Sequence, residues 1–138
     1  MSNYTRDDNN LVIDGNLNMA NFYNCIIYGS NRVELYLDKA GDGNYITDFR
    51  NCLVKFNDAG TGISGDAWYN QVRQELDGNK LNLDPLFKNR FANNLRIFDN
   101  SPAHEFPGTD VGVANDILGT PRTPTFDLGA YQSVPVPN

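Results

Sequence analysis

The sequence predicts an all-β protein, a single-stranded parallel β-helix of about four coils with one short helical insertion. Three observations predict it. The hexapeptide Phe22–Ile27 (FYNCII) returns 27 positions later as Phe49–Val54 (FRNCLV), and a period of this size marks stacked repeats. The chain carries 12 Gly and 7 Pro with abundant Asn, the composition of many short elements joined by tight corners. Ala, Lys and Glu are scarce, which argues against long helices.

Taken in order, residues 1–10 are polar and read as an irregular lead-in. Leu11, Val12 and Ile13 form a β-prone triplet closed by the turn signal Asp14-Gly15-Asn16. The first repeat unit follows and stops at Gly29. Val33 to Leu37 alternates apolar and polar with period two, as a half-buried strand does. Asp38 to Asn44 (DKAGDGN) reads as a loop, and the second unit runs to Phe56. Over residues 66–77, Asp66 is placed to cap, Trp68, Val72 and Leu76 recur at helical spacing, and Gly78 stands where a helix would stop. Leu83–Phe87 and Leu95–Phe98 are two further strand candidates. Residues 11–99 thus hold the coils with the insertion near 66–77, and residues 100–138 form a turn-rich cap and tail, in a single domain.

Within the repeat, Phe22 to Cys25 is an odd step, so strict alternation cannot bury both. A corner at Asn24, and again at Asn51, resets the alternation. Asn suits a corner because it tolerates left-handed backbone angles. Stacking at about 4.8 Å places Asn24 over Asn51 as an amide ladder and Cys25 over Cys52 as a small apolar stack. In-register neighbours have poor geometry for a disulfide, so both cysteines are expected as buried free thiols.

The formal net charge is −6, from 17 acidic and 11 basic residues. That excludes nonspecific binding to nucleic acid or to an anionic membrane surface, both of which need a basic face. No apolar run approaches the roughly 20 residues of a membrane span.

The C-terminal half carries a series of short motifs. They are Leu83-Asp84-Pro85-Leu86-Phe87, Asn100-Ser101-Pro102-Ala103, Asp116-Ile117-Leu118-Gly119-Thr120-Pro121-Arg122 and Asp127-Leu128-Gly129-Ala130-Tyr131, after the Asn-Cys-Ile-Ile-Tyr-Gly of Asn24–Gly29. In this order they resemble the C-terminal end of secreted bacterial right-handed parallel β-helix proteins of the choice-of-anchor Q type, with a pectate-lyase-like fold. The likeness covers residues 20–132. It departs from the family pattern at Ser101–Gly108, which holds one extra residue, and over residues 57–82. The resemblance implies a right-handed coil with a C-terminal cap, a place at the end of a longer extracellular or cell-surface chain, and preceding coils that stack on residues 1–16; it does not imply a catalytic site, because its motifs are corners and caps. If isolated, the chain is expected to dimerise through that open edge.

Candidate chemistry lies on outward positions. Stacking places Tyr23 beside Arg50 and Tyr28 beside Lys55, and an aromatic next to a cation suits a sugar ring bearing a carboxylate. Trp68 and Tyr69 offer a second platform. Asp38, Asp42 and Asn44 offer oxygen ligands at i, i+4 and i+6, for which calcium is the fitting cation. His104, the one histidine, stands beside Glu105, but adjacent residues on an extended segment point apart, so no catalytic pair is assigned. The paired carboxylates of a hydrolase and the base beside a carboxylate cluster expected of a lyase are not evident. Asp110 with Asp116, and Asp116 with Arg122 or Asp127, read as turn and salt-bridge elements that hold the cap. The reading is a non-catalytic module that adheres to polysaccharide. Beside it stand the terminal part of a polysaccharide lyase or hydrolase whose catalytic coils lie upstream, and a purely structural or protein-binding stalk.

Overall fold

Asn24 and Asn51 both adopt left-handed backbone angles, with φ of 55° and 51°, and these two corners organise the chain. The computed structural model describes residues 1–73, 78–122 and 126–137. Before the corners run β3 (Leu17–Tyr23) and β5 (Tyr45–Arg50), which pair in parallel with Phe22 opposite Phe49 and Tyr23 opposite Arg50. After them run β4 (Ile26–Ile27) and β6 (Leu53–Val54), again parallel and in register. The rings of Phe22 and Phe49 stack at 4.8 Å with an interplanar angle of 6°. Repeated residues therefore lie on repeated residues.

A third row escapes the sequence reading. β7 (Lys80–Leu81) adds to the far side of β6, with Leu53 opposite Lys80 and Val54 opposite Leu81. Gly78, expected as a helix stop, is the corner of this row, with φ of 76°. Asn79 takes the place of Cys52. It is fully buried; its Oδ1 accepts from Cys52 N at 2.9 Å and its Nδ2 donates to Phe49 O at 3.0 Å. A Cβ on Gly78 would collide with the Asn51 side-chain amide. Gly78→Ala should therefore destabilise the fold by about 1–3 kcal/mol, from positive φ and collision together, as read by the urea midpoint. An unchanged midpoint would remove Gly78 as a corner.

The rows do not continue into a solenoid. Among the described residues the strands form four small separate sheets, and two of these are antiparallel. β1 (Tyr4–Arg6) and β2 (Val12–Asp14) make one hairpin, so the expected lead-in is partly strand. β8 (Phe87–Asn89) and β9 (Asn94–Ile97) make the other. The expected β-helix of about four coils is thus corrected to a mixed assembly of short sheets. The physical reason lies in burial. Cys25, Ile27, Cys52, Val54 and Leu81 face one core with Phe22, Phe49, Phe56, Tyr69 and Val72. Ile26 and Leu53, on the opposite face of the same sheet, enter a second core with Ile97, Ala103, Phe106 and Leu128. The C-terminal segment packs along the flank of the rows, with Gly129 N donating to Asn24 O at 2.8 Å, instead of adding further turns.

Two other segments differ from expectation. Val33, Leu35 and Leu37 are buried and Tyr36 is exposed, as alternation requires, but the segment makes a single bridge, Val33 to Phe56, and is not a strand. Asp66 caps as expected, its Oδ1 accepting from Trp68 N at 2.9 Å, and a 3-10 turn (Ala67–Tyr69) leads into the four-residue helix α1 (Asn70–Arg73). Leu76 lies outside the described residues. Tyr69 and Val72 are buried, while Trp68 is 36% exposed. The apolar stripe is therefore carried by Tyr69 and Val72.

Candidate functional site

The parallel register brings the two expected aromatic–cation pairs together. In the first, the Arg50 guanidinium lies 5.6 Å from the Tyr23 ring centroid. Asp48 holds both groups, its Oδ2 accepting from Tyr23 Oη at 2.7 Å and its Oδ1 from Arg50 Nε at 3.0 Å. The bond to Asp48, with partial burial, raises the Tyr23 phenol above its ordinary value. Burial pushes Asp48 upward, but the Tyr23 and Arg50 donors outweigh it and hold the carboxylate low. The charge of Arg50 is balanced within the pair itself.

In the second pair, Lys55 Nζ lies 5.0 Å from the Tyr28 ring centroid and donates to Gly29 O at 2.8 Å. Among the described residues Lys55 meets no carboxylate within salt-bridge distance. Tyr28 also borders an open cleft of about 330 Å³ whose other walls include Asp84, Phe87, Lys88, Arg90 and Phe91. The β8–β9 connection builds this wall. Asn89 caps a 3-10 turn (Arg90–Ala92) by accepting from Ala92 N at 3.1 Å, and Asn93 leaves it at φ of 54°. The tight turn leaves Phe91 88% exposed, with the Arg90 guanidinium 4.9 Å from its centroid. Sequence reasoning missed Asp84, Lys88, Arg90 and Phe91. The signal was present in Phe87-Lys88-Asn89-Arg90-Phe91, where two aromatics flank two cations.

The expected platform of Trp68 and Tyr69 does not form. Tyr69 is buried, its hydroxyl donating to Leu37 O at 3.2 Å and accepting from Leu37 N at 3.1 Å. Trp68 packs edge-on against Tyr45 at 5.1 Å. Of the expected cation loop, Asp38 accepts from Tyr4 Oη at 2.6 Å, Asn44 Nδ2 donates to Asn18 Oδ1 at 3.0 Å, and Asp42 is exposed. The first and last of these side chains are thus engaged by separate partners. Among the described residues no group of three or more His, Cys, Asp and Glu side chains is placed to hold a metal.

The corner asparagines do not ladder to each other. Asn24 Nδ2 donates to Thr109 O at 2.6 Å, and its Oδ1 accepts from Thr109 N at 2.9 Å. In the orientation that satisfies both amide ends, Asn51 donates to Pro107 O at 3.1 Å and accepts from Thr109 Oγ1 at 2.6 Å. Both corners therefore clamp the C-terminal segment. Cys25 and Cys52 are free thiols, Cys52 buried and Cys25 partly so. The neighbouring Cys52 thiol lowers Cys25, while Cys25 and burial push Cys52 up.

His104 stands in a Ser–His–Asp cluster, with Nδ1 2.8 Å from Asp127 Oδ1 and 3.0 Å from Ser133 Oγ. A nucleophilic relay needs serine and carboxylate on opposite ring nitrogens. Here both share Nδ1, and Nε2 lies 3.8 Å from Glu105 Oε1. The cluster is a brace that ties Ala103–Glu105 to Asp127–Ser133. The expected ion pair of Asp116 with Arg122 is absent: Asp116 Oδ1 accepts from Leu118 N and Thr120 N, both at 2.8 Å, and Arg122 donates to backbone carbonyls.

Among the described residues no helix is long and apolar enough to cross a membrane. No family model matches the chain, and neither the curated proteins nor the solved structures provide a match.

Proposed function

We propose that this chain is a non-catalytic all-β binding module that contacts acidic polysaccharide, as part of an extracellular or cell-surface protein. The observation that carries the reading is the cleft beside Tyr28. Lys88 and Arg90 supply cations, and Tyr28, Phe87 and Phe91 supply ring faces, around about 330 Å³ of open space, with Lys55 set against the Tyr28 ring outside the cleft's lining. An aromatic face takes the apolar side of a pyranose ring, and a neighbouring cation takes its carboxylate. The exposure of Phe91, at 88%, supports a ligand-facing role, since burial in this chain does not require its ring. Tyr23 and Arg50 offer a weaker second contact, because Asp48 already occupies the guanidinium.

The test is a titration with oligogalacturonate and with a neutral oligoglucan, followed by calorimetry, with the products checked for cleavage. Oligogalacturonate should bind and remain intact. Phe91→Ala should weaken it about tenfold, the equivalent of about 1.4 kcal/mol, with an unchanged melting temperature. Equal affinity for the neutral chain, or full affinity in Phe91→Ala, would defeat the assignment of this cleft. Cleavage would point to an enzyme, and no binding to a stalk.

A further inference from the structure

Arg122 is only 7% exposed, yet it has no counter-charge among the described residues. Its Nη1 donates to Asp127 O at 2.8 Å and its Nη2 to Gly129 O at 2.7 Å. Its Nε is buried and has no acceptor among the described residues. Among the described residues no carboxylate reaches it within salt-bridge distance. The nearest candidate in sequence, the Asp127 carboxylate, is already taken by His104, Glu105 N and Ser133 N. A buried cation held only by neutral carbonyls is costly, and a buried donor without an acceptor adds to the cost.

Arg122 lines two small cavities that share Val113 and Phe126. One, of about 120 Å³, is completed by Tyr23, Asn24, Val111 and Gly129. The other, of about 260 Å³, includes Asp110. The smaller has a mainly apolar wall and lies well below the roughly 300 Å³ where pockets for drug-sized ligands begin. Val111 and Val113 at its mouth are 45% and 52% exposed. Asp110 disfavours an anion on its own side, so the Tyr23–Asn24 side is the entry for one.

We propose that this cavity binds a small carboxylic acid carrying a short apolar group. The carboxylate supplies the acceptor and counter-charge that Arg122 lacks, in the charge-assisted geometry that guanidinium favours. The apolar group rests on Val111, Val113 and Phe126. The same chemistry is offered by a free short-chain acid and by the C-terminal residue of a peptide ending in a small apolar side chain. The site is separate from the Tyr28 cleft and does not depend on how that cleft is used.

The test uses the full chain at constant ionic strength. Butyrate is titrated in, with butyramide and chloride as controls, while the melting temperature and the Arg Nε–Hε resonances are followed. Butyrate should raise the melting temperature saturably and shift a single Arg Nε–Hε signal, the one lost in Arg122→Lys; butyramide and chloride should do neither. Arg122→Lys also removes braces to two carbonyls and can unfold the segment, so Val113→Trp serves as the second variant. It fills the cavity from an exposed position with Arg122 in place, and should weaken butyrate at least tenfold. Acetyl-Gly-Val acid, compared with its amide, separates the sources: tighter binding than butyrate assigns a peptide terminus, and equal or weaker binding a free acid. The proposal is overturned by no saturable shift, by equal response to butyramide, or by full butyrate response in Val113→Trp.

Discussion

Asn51→Leu should lower the free energy of unfolding by about 2–4 kcal/mol, as read from urea unfolding at neutral pH. Two costs combine. Asn51 sits at φ of 51°, where a Cβ-bearing residue without a locally bonding side chain loses roughly 1–2 kcal/mol. Its amide also joins Pro107 and Thr109 to the corner, and removing such bonds costs about 1–2 kcal/mol more. Asn51→Gly separates the two, since glycine accepts the backbone angle but makes no clamp. It should lose only the second share. Thr109→Val removes one end of the same clamp and should fall in the same smaller range. If Asn51→Leu unfolds at the wild-type midpoint, the left-handed corner and its clamp are both unimportant. If Asn51→Gly loses as much as Asn51→Leu, the backbone angle contributes nothing.

The corner also shows how much of the fold the sequence displays. Phe22 over Phe49 and Ile27 over Val54 were legible because like residues recur at a fixed spacing, and parallel pairing needs only that register. The third row was hidden because Gly78, Asn79 and the exposed Lys80 stand where the second row has Asn51, Cys52 and the buried Leu53, and only Leu81 resembles its neighbour Val54. Gly78 keeps the left-handed corner of Asn51, and Asn79 keeps the buried place of Cys52 by bonding both of its polar ends. Extending two similar units to a four-coil solenoid failed at the sheet's other face. Ile26 and Leu53 look like ordinary strand residues, and nothing local says that Leu128, Ala103 and Phe106 will cover them. The choice-of-anchor Q resemblance described the same C-terminal motifs as a cap, whereas they lie along the flank.

The candidate sites divide in the same way. Tyr23 with Arg50 and Tyr28 with Lys55 follow from register alone. Arg90 and Phe91 needed the hairpin turn to be known, and Tyr69 needed the true phase of the 3-10 turn at Ala67–Tyr69. Arg122 was read as half of a salt bridge because an arginine among several aspartates usually is one. Its isolation emerges only when Asp116 and Asp127 are seen to spend their oxygens on backbone N–H groups.

Those two aspartates should add to the acid sensitivity of the fold. Burial pushes the Asp127 carboxyl upward, but the N–H groups of Glu105 and Ser133, with Ser133 Oγ and His104, outweigh it and hold the group below the ordinary carboxylate value. Asp116 shifts the same way, burial being overcome by the N–H groups of Gln132, Thr120 and Leu118. A carboxylate depressed in the folded state binds protons less readily there than when unfolded. Its stabilisation is complete above the unfolded value of about 4 and drains away as pH falls through the depressed folded value. Asp127→Asn tests this at one site. The amide keeps the shape but has a single acceptor oxygen, and it turns an NH2 toward one of the two N–H groups at 2.8 Å and 2.5 Å. At pH 6 the variant should be less stable by about 2–4 kcal/mol. Between pH 4 and pH 2 the gap to wild type should narrow, because the wild-type carboxylate is then protonated and loses acceptor capacity of its own. Urea midpoints at pH 6, 4, 3 and 2 measure it. A gap that stays constant over that range would mean that the charge of Asp127 does not hold the C-terminal segment in place. A gap that closes while Asp116→Asn keeps its own would place the acid sensitivity at the His104–Asp127–Ser133 brace, which joins the segment bearing Arg122 to the second core.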